Sequence, residues 1–137
     1  MNLVKDIIFD DFQNNVDASL IRHKSLIDIM TKLQESEARI NRAIAKSVTN
    51  CGCIEINAKK QKIPEDDSNL SIENLGECLQ THIVGTLCEN CRDIIQGEIG
   101  THLFYLTSLC NDLDISLYDV LIKENDSINT LGKYNLR

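Results

Sequence analysis

The stretch LIDIMTKLQESEARINRAI, residues 26–44, decides the fold class of this chain. Its apolar side chains recur at helical spacing and form one stripe: Leu26, Ile29, Met30, Leu33, Ile40, Ile44. No glycine or proline interrupts the stretch, and Val48 continues the stripe. The pattern therefore predicts one long amphipathic helix that runs from Asp17, its N-cap, to about Val48.

A second long helix is predicted farther along the chain, beginning near Cys88. Its expected core face is another apolar stripe: Ile95, Ile99, Leu103, Leu106, Leu113. A last helix is predicted to begin at Ser116, because Ser116 and Asp119 have the spacing of a capping box. Two long amphipathic helices joined by shorter ones are typical of an all-α bundle.

Shorter elements are expected between and before the long helices. The segment SIENLGECLQTHIV, residues 71–84, predicts a short helix that opens at Ser71 and is closed by Gly85. The N-terminal LVKDIIFDDF, residues 3–12, favours another short helix. The segment CIEINA, residues 53–58, has a weak strand signal. It therefore predicts a short extended segment and nothing longer.

The remaining segment sets the domain organisation. Polar residues near 56–70, which include the only proline of the chain, predict a loop. No repeat divides the sequence, so we expect a single helical domain over residues 1–137. Long amphipathic helices with wide apolar stripes often bury their remaining apolar surface against a second copy of the chain. We therefore expect a homodimer.

The charge and hydropathy of the chain limit its partners. The formal net charge is −7, whereas generic nucleic-acid binding needs a basic surface, so no nucleic-acid partner is expected. No segment approaches the roughly 18 apolar residues of a membrane span. Charged residues break the N-terminal segment, unlike the apolar run of a signal peptide. These features predict a cytoplasmic protein without a membrane partner.

Four of the six cysteines lie in two close pairs. Cys51 and Cys53 flank a single glycine, and Cys88 and Cys91 have C-x-x-C spacing at the start of a predicted helix. Thiols are normally reduced in the cytosol, and four thiolates suit a tetrahedral zinc ion. The pattern favours a structural zinc site at these four residues. A redox-active disulfide, an iron–sulfur cluster and unconnected cysteines are the alternatives.

Three further residues relate to this prediction. Cys78 and Cys110 each lie on a predicted helix among apolar neighbours, which favours burial as small hydrophobic side chains. His82 lies six residues before Cys88 and is a reserve metal ligand.

The stretch at 26–44 resembles the first motif helix of the MazG-like nucleotide pyrophosphohydrolases. EIGTHLFYLTSLCNDLDISLYDVL, residues 98–121, resembles their second. In that all-α family the first helix carries E-E-x-x-E, and the second carries E-x-x-D followed by an apolar run of the LFYL type. The resemblance implies a MazG-like helical bundle that cleaves between the α and β phosphates of a nucleotide, using Mg²⁺ held by carboxylate oxygens. The cysteine-bearing segment lies outside the resemblance, which indicates a cysteine-containing subgroup.

Two of the five motif acids are present in this sequence. Glu35 and Glu98 match the first glutamate of each motif and are the candidate catalytic residues. Ser36 and Arg39 stand where the first motif has its other glutamates, and Thr101 replaces the aspartate of the second. A fixed cation repels Mg²⁺ but suits a phosphate, so Arg39 is the candidate ligand-binding residue.

Two functional classes follow from these motifs. The first, which we favour, is a non-catalytic MazG-like protein with a degenerate magnesium site. It would bind a nucleotide-like anion near Arg39, or a protein partner, and carry a structural metal site at the cysteines. The second is an active nucleoside triphosphate pyrophosphohydrolase with an atypical cage that uses Glu35 and Glu98. Magnesium is expected only in the second class, and no base-recognition pattern indicates a substrate.

Overall fold

A computed structural model describes residues 3–64 and 71–134 of the chain. Within them the protein is mainly helical with one small two-stranded sheet, which confirms the predicted all-α class. The elements follow this order: α1 (Leu3–Ser19), α2 (Leu26–Lys46), a π-helical turn (Ser47–Cys51), β1 (Ile54–Ile56), α3 (Ile72–Cys78), β2 (Ile83–Gly85), α4 (Glu89–Asp112), α5 (Leu117–Leu131), a 3-10 turn (Gly132–Tyr134). In the predicted polar loop, residues 57–64 have no regular secondary structure, whereas 65–70 lie outside the described residues.

The helices α2 and α4 form the most extensive interface among the described elements, and they run antiparallel. The direction follows from three contacts in which the first partner advances along the chain while the second retreats: Ser36 with His102, Arg39 with Glu98, Cys51 with Cys88. Helix α1 packs against both α4 and α5. The end of α2 therefore meets the start of α4, as the sequence predicts for two helix ends that each carry a cysteine pair.

Small hydroxyl side chains supply the buried polar groups of α2, its π-turn and α4. Each is at most 2% exposed: Ser36, Ser47, Thr107, Ser108. Each hydroxyl donates a hydrogen bond to a carbonyl oxygen one turn earlier in its own helix. The buried oxygens are thereby satisfied, and their small size allows neighbouring helices to approach closely.

The apolar core of the single chain is small. Among the described residues the buried apolar side chains are Val16, Ile29, Ile54, Cys91, Ile95, Cys110. Four other members of the predicted core face of α4 are between 36% and 49% exposed: Ile99, Leu103, Leu106, Leu113. The core-face prediction is thus wrong for these four in the single chain, because no described element covers that side of α4. None of the described helices combines the length and apolar content needed to cross a membrane.

The prediction of one helix from Asp17 to Val48 is wrong. Asp17 lies inside α1, so the expected N-terminal helix is present but longer than predicted. The chain then leaves helical geometry, with His23 at a left-handed φ of 54°. Helix α2 begins only after Ser25, whose extended backbone makes it the N-cap. The predicted end near Val48 is close to the observed one, because α2 ends at Lys46 and continues directly into the π-turn.

The predicted helix from Ser71 to Gly85 is also shorter than expected. Helix α3 ends at Cys78, and residues 83–85 form β2. This strand pairs antiparallel with β1, which confirms the extended piece predicted in CIEINA. Isolated three-residue strands are weak local signals, so the pairing, and not the local sequence, accounts for the extended backbone of β2.

Two local features fix α5 against the rest of the bundle. The Ser116 hydroxyl accepts a hydrogen bond from the backbone N–H of Asp119 at 3.2 Å, which confirms the predicted N-cap. The Gln13 side chain donates hydrogen bonds to the Asn111 side chain and the Ile115 carbonyl, both at 3.0 Å. Gln13 therefore ties α1 to the turn between α4 and α5.

Candidate metal centre

The π-helical turn at the end of α2 positions the first cysteine pair. The backbone N–H of Gly52 donates to the Ser47 carbonyl at 2.9 Å, an i to i−5 bond that widens the last turn. Gly52 has a φ of 77°, a left-handed conformation that favours glycine, and it caps the end of the π-turn. The thiol of Cys53 then lies 3.8 Å from the same Ser47 carbonyl. Both sulfurs of the first pair thus sit beside the end of α2.

The ribbon of β1 and β2 brings the second pair to the first. Ile54 pairs with Gly85, so Cys53, just before β1, lies near the segment that leaves β2 toward Cys88. Gly85 has a φ of 89°, and a Cβ there would lie 2.7 Å from the Cys53 carbonyl oxygen. Glycine at this position therefore allows the two strands to approach closely where the cysteines converge.

The four predicted cysteine ligands converge on one site. The sulfur atoms of Cys51, Cys53, Cys88 and Cys91 all lie within 4.8 Å of one another, and all six cysteines of the chain are free. The sulfurs of Cys51 and Cys88 are 3.8 Å apart. A tetrahedral zinc ion with Zn–S bonds of about 2.3 Å requires sulfur–sulfur edges of roughly 3.8 Å. The donor set and spacing can therefore hold a tetrahedral metal ion.

The start of α4 shifts the pKa values of two of these thiols in opposite directions. Cys88 is the N-cap of α4, and its sulfur accepts a hydrogen bond from the backbone N–H of Cys91 at 3.4 Å. That hydrogen bond lowers the pKa of the Cys88 thiol to about 7, which favours the thiolate that binds metals. A hydrogen bond with the Cys88 sulfur, together with burial, raises the pKa of the Cys91 thiol to about 12. Cys88 is therefore the more readily deprotonated of the two thiols, and a bound cation would favour the thiolate of Cys91 as well.

The other candidate residues lie outside this cluster. Among the described residues, the group of potential metal ligands consists of the four cysteines alone, without His82. Cys110 is buried, as predicted, and burial raises the pKa of its thiol. Cys78 is half-buried, and its thiol lies 3.8 Å from the Asn74 carbonyl in its own helix.

A separate charged site lies farther along the interface of α2 and α4. The Arg39 Nε atom donates to the Glu98 carboxylate at 3.2 Å, and a guanidinium nitrogen of Arg39 lies 3.8 Å from the Glu35 carboxylate. Lys32 also pairs with Glu35 at 3.2 Å. The Glu98 side chain is 23% exposed and that of Glu35 51% exposed, so the pair with Glu98 is the better shielded from water. The Arg39 guanidinium therefore lies between both residual motif acids.

The other two motif positions make hydrogen bonds outside this ion-pair group. The buried Ser36 hydroxyl lies 2.8 Å from the Nδ1 atom of His102, and it forms no part of the charged site. The exposed Thr101 hydroxyl donates to the Gly97 carbonyl in its own helix at 3.2 Å. Three of the five motif positions meet, and the two without charge contribute no oxygen to a shared cage.

Two basic residues beside this site were missed in the sequence. Arg42 and Lys46 line a cavity of about 350 Å³ together with Arg39 and Glu98. Neither has a carboxylate partner in residues 3–64 and 71–134. They lie three and seven residues after Arg39, a spacing that places the three cations on one face of α2. This spacing could have identified them from the sequence.

Comparisons of this chain with protein-family models, curated proteins and solved structures each found no match.

Proposed function

We propose that this chain is a non-catalytic MazG-like protein, a cytoplasmic homodimer with a structural zinc ion, which binds a nucleotide-like anion at the Arg39 site. The observation that supports the non-catalytic assignment best is the position of Arg39. Its guanidinium lies 3.2 Å from Glu98 and 3.8 Å from Glu35, the two motif acids that remain. An arginine in this position competes with Mg²⁺ for the same carboxylates.

The surroundings of Arg39 favour an anion over a metal. Mg²⁺ takes near-octahedral oxygen coordination, and the nearby Ser36 and Thr101 hydroxyls are bonded elsewhere. Arg42 and Lys46 add two positive charges that no described carboxylate neutralises. Phosphate groups are recognised by such clusters of basic side chains.

Zinc is the metal that the cysteine geometry supports best. All four sulfurs lie within 4.8 Å of one another, which suits coordination to a single ion. An iron–sulfur cluster spreads its thiolates over separate irons and so requires wider separations. The ion would join the end of α2 to the start of α4 and stabilise that end of the bundle.

The large accessible surface of the chain supports the homodimer. The chain has 10470 Å² of accessible surface, whereas a compact monomer of 15.5 kDa exposes roughly 7,200 Å². The excess is large enough for a stable homodimer interface, which buries roughly 2,000–5,000 Å² in total. We expect a dimer mass by light scattering, and a monomer for Leu103→Glu but not for Ile21→Glu, which alters an isolated exposed side chain. A monomeric unmodified protein at micromolar concentration would contradict this part of the proposal.

Pyrophosphate release tests the assignment as a non-catalytic protein. The zinc-loaded protein should release no pyrophosphate above background from ordinary or modified nucleoside triphosphates, with either Mg²⁺ or Mn²⁺. A nucleotide-like anion should bind in the same preparation, as measured by calorimetry, and Arg42→Ala should weaken it. Robust turnover that Glu98→Gln abolishes would overturn the proposal and establish the active pyrophosphohydrolase instead.

A further inference from the structure

A second cavity adjoins the four cysteines, where α2 ends and α4 begins. Its volume is about 250 Å³, and Ala43 and Ile94 provide apolar lining. Asn50 and Asn90 also line it, and each side-chain amide carries both hydrogen-bond donors and an acceptor. An apolar surface with amides beside it suits a flat heterocycle that has a polar edge.

This cavity adjoins the one that Arg42 lines. Three residues line both cavities: Ala43, Lys46, Ile94. Together the two cavities form one trough along α2 and α4, which we call the α2–α4 trough. One end is cationic and the other is apolar, and the larger cavity alone, at about 350 Å³, falls within the usual range of small-molecule sites, roughly 300–1,000 Å³.

Two of the cysteines form part of the wall of this trough. Cys51 and Cys91 line the apolar cavity and also belong to the four-sulfur cluster. Cys51 is exposed, whereas Cys91 is buried. A metal ion bound to both sulfurs would fix the exposed Cys51 side chain and the turn that carries it. The shape of the apolar cavity then depends on metal binding.

We propose that the α2–α4 trough binds a nucleoside monophosphate, with its phosphate at Arg42 and Lys46 and its base in the cavity beside the cysteines, and that bound metal strengthens this binding. The proposal rests on the proposed function, because it names the ligand of the same anion site and uses the same metal. A single phosphate suits the trough better than a longer chain, because Glu98 lines the cationic cavity and repels additional negative charge.

Calorimetry on the zinc-loaded protein tests the ligand. At least one of AMP, GMP, CMP and UMP should bind about tenfold or more tightly than both ribose 5-phosphate and its own nucleoside, since each of those lacks one half of the contacts. Arg42→Ala should weaken nucleotide binding about tenfold through the loss of a charged hydrogen bond. Arg22→Ala, an exposed arginine outside the trough, should leave the affinity unchanged. Failure of all four nucleotides to bind the zinc-loaded protein would overturn the ligand assignment.

A second variant separates the base from the phosphate. Asn90→Ala should weaken the nucleotide severalfold and leave the weak affinity for ribose 5-phosphate unchanged, because Asn90 lines only the apolar cavity. Equal losses for both ligands would contradict the placement of the base.

Equilibrium competition for zinc between the protein and a chelator tests the coupling without removing the metal beforehand. If metal strengthens nucleotide binding, the nucleotide must strengthen metal binding by the same factor. A saturating nucleotide should therefore raise the zinc affinity about threefold or more, measured from the distribution of zinc at equilibrium, while ribose 5-phosphate should not. An unchanged zinc affinity with a nucleotide that binds would refute the coupling and leave the ligand assignment standing. A purified protein without metal would instead refute the structural zinc of the proposed function, and the coupling with it.

Discussion

The cysteine cluster and the Arg39 site lie along the same pair of helices, yet only one has a full set of side chains that could hold a metal ion. At the cluster, four sulfurs lie within 4.8 Å of one another. At the Arg39 site, two carboxylates flank a guanidinium, and the neighbouring hydroxyls bond elsewhere. The interface of α2 and α4 depends on small buried side chains, whereas metal binding depends on the identity of each ligand. One scaffold can therefore support a metal site at one end without supporting one at the other.

Replacing a buried ligand of the cluster should have the largest effect. Cys91→Ser removes a sulfur that is 8% exposed, and the remaining three should not hold the metal. We expect loss of the bound zinc by elemental analysis and a fall in Tm of about 10 °C or more, because metal binding is coupled to folding. Cys78→Ser, which lies outside the cluster, should keep one zinc per chain. Full zinc content in Cys91→Ser would remove the proposed contrast between the two sites.

Restoring acids at the Arg39 site should convert it toward a metal site. Arg39→Glu combined with Thr101→Asp replaces the guanidinium and adds two carboxylates next to Glu35 and Glu98. We expect Mg²⁺ affinity to rise about tenfold or more, measured by calorimetry. The guanidinium that repels Mg²⁺ is removed, and the new carboxylates supply oxygen ligands. Arg42→Glu combined with Thr31→Asp, which makes the same change in net charge on α2, should raise it much less. Equal effects of the two variants would show that net charge alone governs the site.

The hydrogen bond between Ser36 and His102 should contribute less than the metal. Ser36→Ala leaves the Nδ1 atom of a half-buried histidine without its 2.8 Å partner. We expect the free energy of unfolding to fall by about 1 kcal/mol in urea denaturation at fixed protein concentration. Thr101→Ala is the control, since its exposed hydroxyl bonds only within its own helix. No loss for Ser36→Ala would show that the interface of α2 and α4 does not depend on this polar contact.

Removing the exposed acid should have the smallest effect on stability. Glu35→Gln weakens ion pairs to Lys32 and Arg39 whose side chains are all at least 30% exposed. Surface pairs of this kind contribute about 0–1 kcal/mol, so we expect a change of about 0.5 kcal/mol or less. A loss as large as that of Cys91→Ser would contradict the view that this site is not a structural centre.

The two cysteine pairs could be predicted from the sequence, because the two members of each pair are close together in the chain. Gly52 and the C-x-x-C motif indicated two short ligand-bearing segments, and the two helix ends indicated where they could meet. Zinc as the identity of the metal, like the catalytic role of Glu35 and Glu98, stays a prediction. The pair of Arg39 with Glu98 needed the structure, because nothing in either helix alone specifies which residues of the other helix it faces.

Two boundaries were not predictable by the same local rules. The break between α1 and α2 contains no glycine or proline, and a left-handed His23 makes the turn instead. Strand β2 follows α3 in a segment that also has helical periodicity, and its extended form depends on pairing with Ile54–Ile56 about 30 residues earlier in the chain. The second error comes from a contact that is distant in sequence, and the first from a helix break that no glycine or proline marks.

The π-helical turn makes the spacing of the cysteine cluster sensitive to chain length as well as to composition. The i to i−5 hydrogen bond from Gly52 to Ser47 requires the present number of residues in the turn, so a single-residue deletion within Ser47–Cys51 would break it and displace the first cysteine pair. A substitution of the exposed Thr49 would leave that number unchanged. Homologous chains that keep the cluster should therefore tolerate varied residues in this turn but not insertions or deletions, whereas the segment 57–64 should accept both.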